Sequence, residues 1–223
     1  MEKLTTIENN DIVTQAEDQM KIENNFKTNY FMLPETFSEI PETFEENWLA
    51  LPWIDGVRCL LIASNGITIA KNYDGNVFLK FNSNLPNGNP SSKTAKSNYT
   101  IIDCIFINNI IYAIDLLVWK GNYYYDSDSE FRFYWRNTKL QEEIDLKEIT
   151  ATNEYSITNI PYYKCDIESL KEIINTKSLF TGSGWMFYHK AGHYFPGQCP
   201  LMSYLSPANS FLNVINLILN KQQ

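Results

Sequence analysis

Two groups of short apolar runs, each folded back on itself by turn residues, leave this chain little choice of fold class. Arg58 to Ala63 is apolar, the turn Ser64-Asn65-Gly66 follows, and then come Ile67 to Lys71, the turn Tyr73-Asp74-Gly75-Asn76 and Val77 to Phe81. Runs of this length broken by Asn and Gly predict an antiparallel meander. A second hairpin is predicted from Tyr99–Ile107, the turn Asn108-Asn109 and Ile110–Trp119. Residues 82–98 (NSNLPNGNPSSKTAKSN) lie between them as a long polar loop, a length that marks a functional or a disordered segment. Trp185–His189 and Leu201–Leu205 also read as strands.

Helical signals are fewer. Residues 129–144 carry helical periodicity behind a Ser129 cap, 166–176 carry it behind an Asp166 cap, and Ser210–Leu219 reads as a closing helix. The stretch 34–52 (PETFSEIPETFEENWLALP) repeats Pro-Glu-Thr-Phe at Pro34 and Pro41, and both copies read as helix starts. Many strands with a few outer helices predict an α+β domain of antiparallel sheet with flanking helices.

Charge divides the chain. Through Trp48 there are 11 acidic and 3 basic side chains, whereas the rest is balanced. Residues 1–28 are therefore expected to be an acidic, disordered segment, 29–210 the folded domain and 211–223 a helix or tail. A neutral body does not suit wrapping of long nucleic acid, but it suits a grip on one nucleotide. No apolar run of membrane-spanning length occurs and the N-terminus lacks an apolar signal core, so an intracellular protein with no membrane partner is expected. Cys59, Cys104, Cys165 and Cys199 form no CxxC pair and read as reduced, buried thiols. His189 and His193 are spaced for a metal only on a helix, and their surroundings read as strand and turn. No metal and no cofactor are expected.

The chemistry concentrates in Trp53-Ile54-Asp55-Gly56-Val57-Arg58. This stretch resembles the Lys-x-Asp-Gly-x-Arg motif of mRNA capping guanylyltransferases and nucleic-acid ligases, whose lysine takes the nucleotide covalently. Trp53 stands in the lysine's place, and an indole has no nucleophilic amine. Tyr112–Leu117 resembles the superfamily strand that ends in an acidic residue, here Asp115. Gly184–Tyr188 resembles its Glu-Gly-x-Ile-Phe strand. Leu201–Pro207 sits where those enzymes carry Leu-Leu-Lys-Trp-Lys-Pro, with Ser203 and Ser206 in place of the lysines. The resemblance implies an mRNA-capping-enzyme/nucleotidyltransferase-like domain that has lost its catalytic residues and is not an enzyme.

Further blocks are similar to the snurportin family: Thr94-Ala95-Lys96, Tyr99–Cys104, Ser129–Trp135 (SEFRFYW) with Lys139-Leu140, and Phe187-Tyr188-His189-Lys190 through His193-Tyr194, Pro196-Gly197 and Pro200-Leu201. The similarity runs from about Met32 to Pro207. It implies binding of the trimethylguanosine cap of spliceosomal small nuclear RNAs and nuclear import of their particles, with importin β and an export receptor as partners, no DNA partner, and shuttling between cytoplasm and nucleus. The family's stacking tryptophan aligns with Tyr204, and its phosphate-binding arginine with Arg58. Lys71 lies near its phosphate-contacting lysine, and Lys96 is a further basic rim residue. A serine and a second tryptophan of the family align with Pro34 and Thr36. Phe37 replaces that tryptophan if the register moves by one, and Trp53 is the other candidate wall for the base. The family begins with an arginine-rich importin-binding helix. The first 28 residues here hold Lys3, Lys21 and Lys27 and no arginine.

A methylated guanine cap is a flat cation joined to a polyphosphate. An electron-rich ring must face the base, and forked or point-charge donors must reach the phosphates. Tyr204, Trp53 and Phe37 are the expected ring residues, and Arg58, Lys71 and Lys96 the expected phosphate ligands. The aromatic cluster Phe131, Phe133, Tyr134, Trp135 reads as core, and Asp126 and Asp128 read as an exposed turn.

Overall fold

The computed structural model describes residues 30–36, 40–143, 145–175, 184–206 and 216. The segment 1–28, Phe37 and nearly all of 210–223 lie outside the described residues. In chain order the elements are β1 (Met32–Thr36), α1 (Phe44–Asn47), β2 (Trp48–Pro52), β3 (Val57–Ser64), β4 (Ile67–Lys71), β5 (Val77–Phe81), β6 (Thr100–Ile107), β7 (Ile110–Trp119) and β8 (Asn122–Tyr123). Then follow α2 (Ser129–Glu142), β9 (Ser156–Asn159), β10 (Tyr163–Lys164), α3 (Ile167–Asn175), β11 (Trp185–His189) and β12 (Gly197–Leu205). They divide into two compact units. The first holds Gly56–Asp126 and Arg132–Asn159 together with Phe31, and the second holds Met32–Asp55, Ser127–Phe131 and Ile160 onward.

The first unit is built on a sheet of order β5-β4-β3-β6-β7-β8, with β9 parallel to β7. The meander and the second hairpin expected from the sequence are its centre. Asn65 and Gly66 have φ of 54° and 82°, and Asn108 and Asn109 have 50° and 62°. Two-residue turns with both φ positive match the right-handed twist of the strands they join. Lys120 and Gly121 make a third such turn, with φ of 50° and 78°, into β8, which sequence reading missed. One core cluster gathers Cys59, Leu61, Cys104, Ile111, Leu116 and Trp119 on one face of the sheet, and Leu60, Ile62 and Ile105 of the other face are buried as well.

Two β-bulges interrupt the β6–β7 ladder on either side of the pair Asp103 and Asp115. Each leaves one extra β7 residue opposite the ladder, and its carbonyl must find a partner elsewhere. At Ile114 that partner is Arg136 of α2, whose Nη1 donates to the carbonyls of Ala113 and Ile114. At Leu117 the carbonyl accepts from the backbone N–H groups of Tyr124 (2.9 Å) and Tyr125 (3.3 Å).

The polar loop 82–98 is ordered rather than loose. Its asparagines replace a ladder. Asn89 Nδ2 donates to the carbonyl of Ser83 (2.8 Å), while Asn89 Oδ1 caps the short 3-10 turn Pro90–Ser92. Asn87 Oδ1 accepts from Thr94 N (3.0 Å) and its Nδ2 donates to the carbonyl of Ala95 (3.2 Å). Thr68 and Ser83 share a hydroxyl hydrogen bond of 2.6 Å, above which Gly88 passes so closely that a Cβ there would lie 2.4 Å from Ser83 Oγ. Asn153 is fully buried, and its Nδ2 is shared among the carbonyls of Leu146, Glu148 and Tyr155.

The second unit holds a sheet of order β1-β12-β11-β2-β10. Here the sequence reading of 34–52 is corrected. Pro34 starts no helix: it lies in β1, a strand parallel to β12, where a residue with no N–H is tolerated at a sheet edge. Only Phe44–Asn47 is helical, and the following Trp48–Pro52 is a strand buried at all five positions. The Ser129 reading is also corrected: it sits at the start of α2, but its hydroxyl donates to the carbonyls of His189 (2.8 Å) and Lys190 (3.1 Å). Asp166 does cap α3 as expected, accepting from Ser169 N at 2.8 Å. That backbone hydrogen bond holds its carboxyl below the usual range.

All four cysteines are buried and unbridged. Burial pushes the Cys59 thiol up to about 12 and the Cys165 thiol also upward, so both are inert at neutral pH. Of the aromatic cluster, Phe133 is core and Trp135 packs against it, but Phe131 and Tyr134 are 45% and 58% exposed, contrary to expectation. Asp126 and Asp128 are exposed, as read. Among the described residues no helix is long and apolar enough to cross a membrane, and no three His, Cys, Asp or Glu side chains gather as a metal site.

Candidate nucleotide-binding residues

In the second unit the structure brings two of the three expected stacking residues together. Trp53 follows directly on β2, and its backbone N–H donates to the carbonyl of Gly184 at 3.0 Å. Tyr204 is on β12, opposite Met186 of β11. Both side chains are half-buried. Their ring centroids are 5.9 Å apart and the planes cross at 72°. A base held between two parallel rings needs about 7 Å from ring to ring, two contacts of roughly 3.5 Å. Trp53 and Tyr204 form a corner instead: a base stacked on the face of one ring meets the other at its rim.

Gly184 makes the corner possible. Its φ is +113°, which favours glycine, and a Cβ there would lie 2.7 Å from the carbonyl oxygen of Leu205 and 2.8 Å from both Cε2 and the hydroxyl of Tyr204. The sequence reading used Gly184 only as part of a strand motif and missed this role. Ser203 is buried, paired with Phe187 on β11, and Ser206 is half-buried after β12. Pro34 and Thr36 lie in β1, with Thr36 in register with Tyr204.

In the first unit, Arg58 near the start of β3 is not a surface cation. Its Nε donates to Asp103 Oδ1 at 3.1 Å and its Nη2 to Asp103 Oδ2 at 2.6 Å. The Arg58 side chain is 12% exposed and that of Asp103 fully buried. The guanidinium also lies over the ring of Phe31, 5.2 Å from its centroid. Gly56 permits the approach of this strand end, since a Cβ there would meet Ile105 Cγ2 at 2.6 Å.

Asp103 stands directly across the ladder from Asp115, and directly opposed residues project from the same face. Asp115 is paired with Arg132 of α2, with Nε to Oδ1 at 3.0 Å and Nη2 to Oδ2 at 2.9 Å, and both side chains are fully buried. Burial pushes the Asp115 carboxyl up; Arg132 pulls it back, and neighbouring Asp103 adds to the rise.

Lys71 is half-buried at the end of β4, beside a bulge against β5. Lys96 is exposed in the 82–98 loop. His189 packs edge-on to Trp48 (5.3 Å, 86°), and His193 Nε2 is 3.6 Å from Asp128.

A family model described as "Snurportin1, m3G cap-binding domain" matches residues 30–207. The chain belongs to this snurportin cap-binding family. Solved structures also resemble it. The ligase domain of M. tuberculosis LigD superposes with a TM-score of 0.53 at 14% identity, over 79% of this chain and 58% of that one. Mycobacterial DNA ligase D complexed with ATP and MES gives 0.55 at 13% identity, over 80% and 60%. At such identity the likeness is one of fold alone: this snurportin-family chain has an α+β, nucleotidyltransferase-like fold. The chain spans about three-fifths of the length of those ligase chains.

Proposed function

We propose that this chain binds the 5′ trimethylguanosine cap of spliceosomal small nuclear RNAs, without catalysis. The observation that carries the reading is the Trp53–Tyr204 corner, in a chain whose family is described by the m3G cap. The methylated base is a cation, so the face of the ring it stacks on in this corner attracts it more strongly than plain guanine. Arg58 supplies the forked donor for cap phosphate, with Lys71 and Lys96 as further cations and Phe37 as a further ring.

The trimethylated cap dinucleotide is expected to quench the protein's tryptophan fluorescence far more strongly than GTP does. Tyr204→Ala is expected to weaken that binding roughly 5- to 150-fold, the equivalent of one base–aromatic stack of about 1–3 kcal/mol. Equal response to the cap and to GTP would sink the reading.

The absence of catalysis rests on Trp53, which stands where the transferases and ligases carry their lysine nucleophile. Incubation with labelled GTP or ATP is expected to leave no acid-stable label on the protein, and a labelled band would overturn this part.

The import role is the finer part of the proposal: an adaptor that carries the capped particle into the nucleus with importin β, recycles through an export receptor, and so shuttles between nucleus and cytoplasm. Family membership supports it. The acidic first 48 residues do not resemble an arginine-rich importin ligand, so recruitment of importin β by this chain is the point to test. Retention of importin β on the immobilised protein supports the role, and its passage through the column unretained counts against it.

A further inference from the structure

Resting on the cap reading above, we infer that Asp103 is the positioning residue for phosphate recognition: it sets the plane of the Arg58 guanidinium and so determines which N–H groups a phosphate can meet. The argument comes from the way Arg58 is held. A guanidinium is a rigid planar fork with five N–H donors, and pairing with Asp103 takes two of them, on Nε and Nη2. That pairing fixes rotation within the plane. The ring of Phe31, 5.2 Å from the guanidinium carbon, covers one face and fixes the tilt. The orientation of Arg58 is thereby decided by the protein before any phosphate arrives, which lowers the entropic cost of binding.

Asp103 is itself enclosed by the sheet. It lies in the centre of β6, fully buried, in register with Leu60 of β3 on one side and Asp115 of β7 on the other. Bulges flank the Asp103–Asp115 pair, and the second acid is tied down by Arg132. Two parallel acid–base pairs therefore stand side by side across the sheet, and only one of them, Arg58–Asp103, includes a partly exposed cation. A carboxylate placed there solely to neutralise a buried arginine would not need that partner to reach the surface.

The experiment compares two probes: the trimethylated cap dinucleotide, which carries phosphates, and trimethylguanosine nucleoside, which carries none. Asp103→Asn keeps the shape but replaces one acceptor with a donor facing Arg58. It is expected to weaken dinucleotide binding about tenfold or more, the equivalent of one charge-assisted hydrogen bond, and to leave nucleoside binding unchanged. If Asp103→Asn does not fold, Asp103→Glu serves instead. It keeps the charge but displaces the carboxylate by one methylene, and is expected to show the same split between the two probes. Unchanged binding of the dinucleotide overturns the inference. So does an equal loss for both probes, which would make Asp103 merely structural. A wild-type protein that binds neither probe is a different result: the cap reading fails first and takes this inference with it.

Discussion

Arg132→Met is expected to lower the unfolding free energy at neutral pH by about 3–5 kcal/mol, the usual effect of removing one partner of a buried ion pair. Asp115 would be left fully buried beside Asp103 with its counter-charge gone. For a domain of this size each kcal/mol moves the thermal midpoint by roughly 2–4 °C, so a fall of about 6–20 °C should be visible by calorimetry. The pH dependence gives the mechanism. Burial already pushes the Asp115 carboxyl above its ordinary value, and without Arg132 nothing of comparable strength pulls it back. A carboxyl whose folded pKa is raised binds protons more tightly folded than unfolded. Stability then falls as pH rises from the unfolded value, about 3.9, towards the folded one. The penalty of Arg132→Met should therefore be smallest in mild acid and full at neutral pH. Pairing it with Asp115→Leu should restore stability at neutral pH relative to Arg132→Met alone, because an apolar pair carries no buried charge. Denaturant titrations at pH 5 and pH 8 test both points. A variant as stable as the wild type at both values would show that the pair is not the buried clamp its geometry indicates.

The parts of the fold legible in the sequence are those where local chemistry decides. The strands β3, β4, β6 and β7 are apolar runs joined by Asn-Gly or Asn-Asn, and few backbones other than a tight hairpin use such a turn. The strands that escaped reading did so for identifiable reasons. β2, Trp-Leu-Ala-Leu-Pro, is buried at every position and so shows no alternation. β1 contains a proline and ends in Glu-Thr, and only pairing with β12 makes it a strand. β8 and β10 are two residues each, too short for any pattern. The candidate site divides the same way. Trp53, Arg58 and Tyr204 were singled out by motif, because a missing lysine and a forked cation are properties of residue type. What holds them was not legible. The Arg58–Asp103 pair depends on the register of β3 against β6, and the Trp53–Tyr204 corner on β11 lying between β2 and β12. Neither register is written in the spacing of the residues involved. Gly184 stood in the sequence as one glycine among nine, and only its φ and the nearness of Tyr204 reveal its work.

Gly184→Val tests whether that corner is the base-binding element. Any Cβ at this position has to enter space held by the Leu205 carbonyl and by the edge of the Tyr204 ring, each within 2.8 Å. Ring and backbone respond differently. A half-buried tyrosine can swing about its side-chain torsions, whereas the Leu205 carbonyl is fixed in β12, where Leu205 pairs with Trp185. The ring should therefore yield first, opening the angle with Trp53 and removing the face against which the base would lie. The expected result is a loss of cap affinity as large as that of Tyr204→Ala, roughly 5- to 150-fold for one stack. The positive φ adds strain of about 1–3 kcal/mol, so the thermal midpoint should fall as well. A double variant separates the two effects. With Tyr204→Ala already in place, Gly184→Val has no ring to displace, so it should lower the midpoint again through backbone strain while costing little further affinity. If it instead costs the full factor a second time, Gly184 acts on the ligand by another route than the Tyr204 ring. If Gly184→Val alone binds the cap as the wild type does, the corner is not where the base lies.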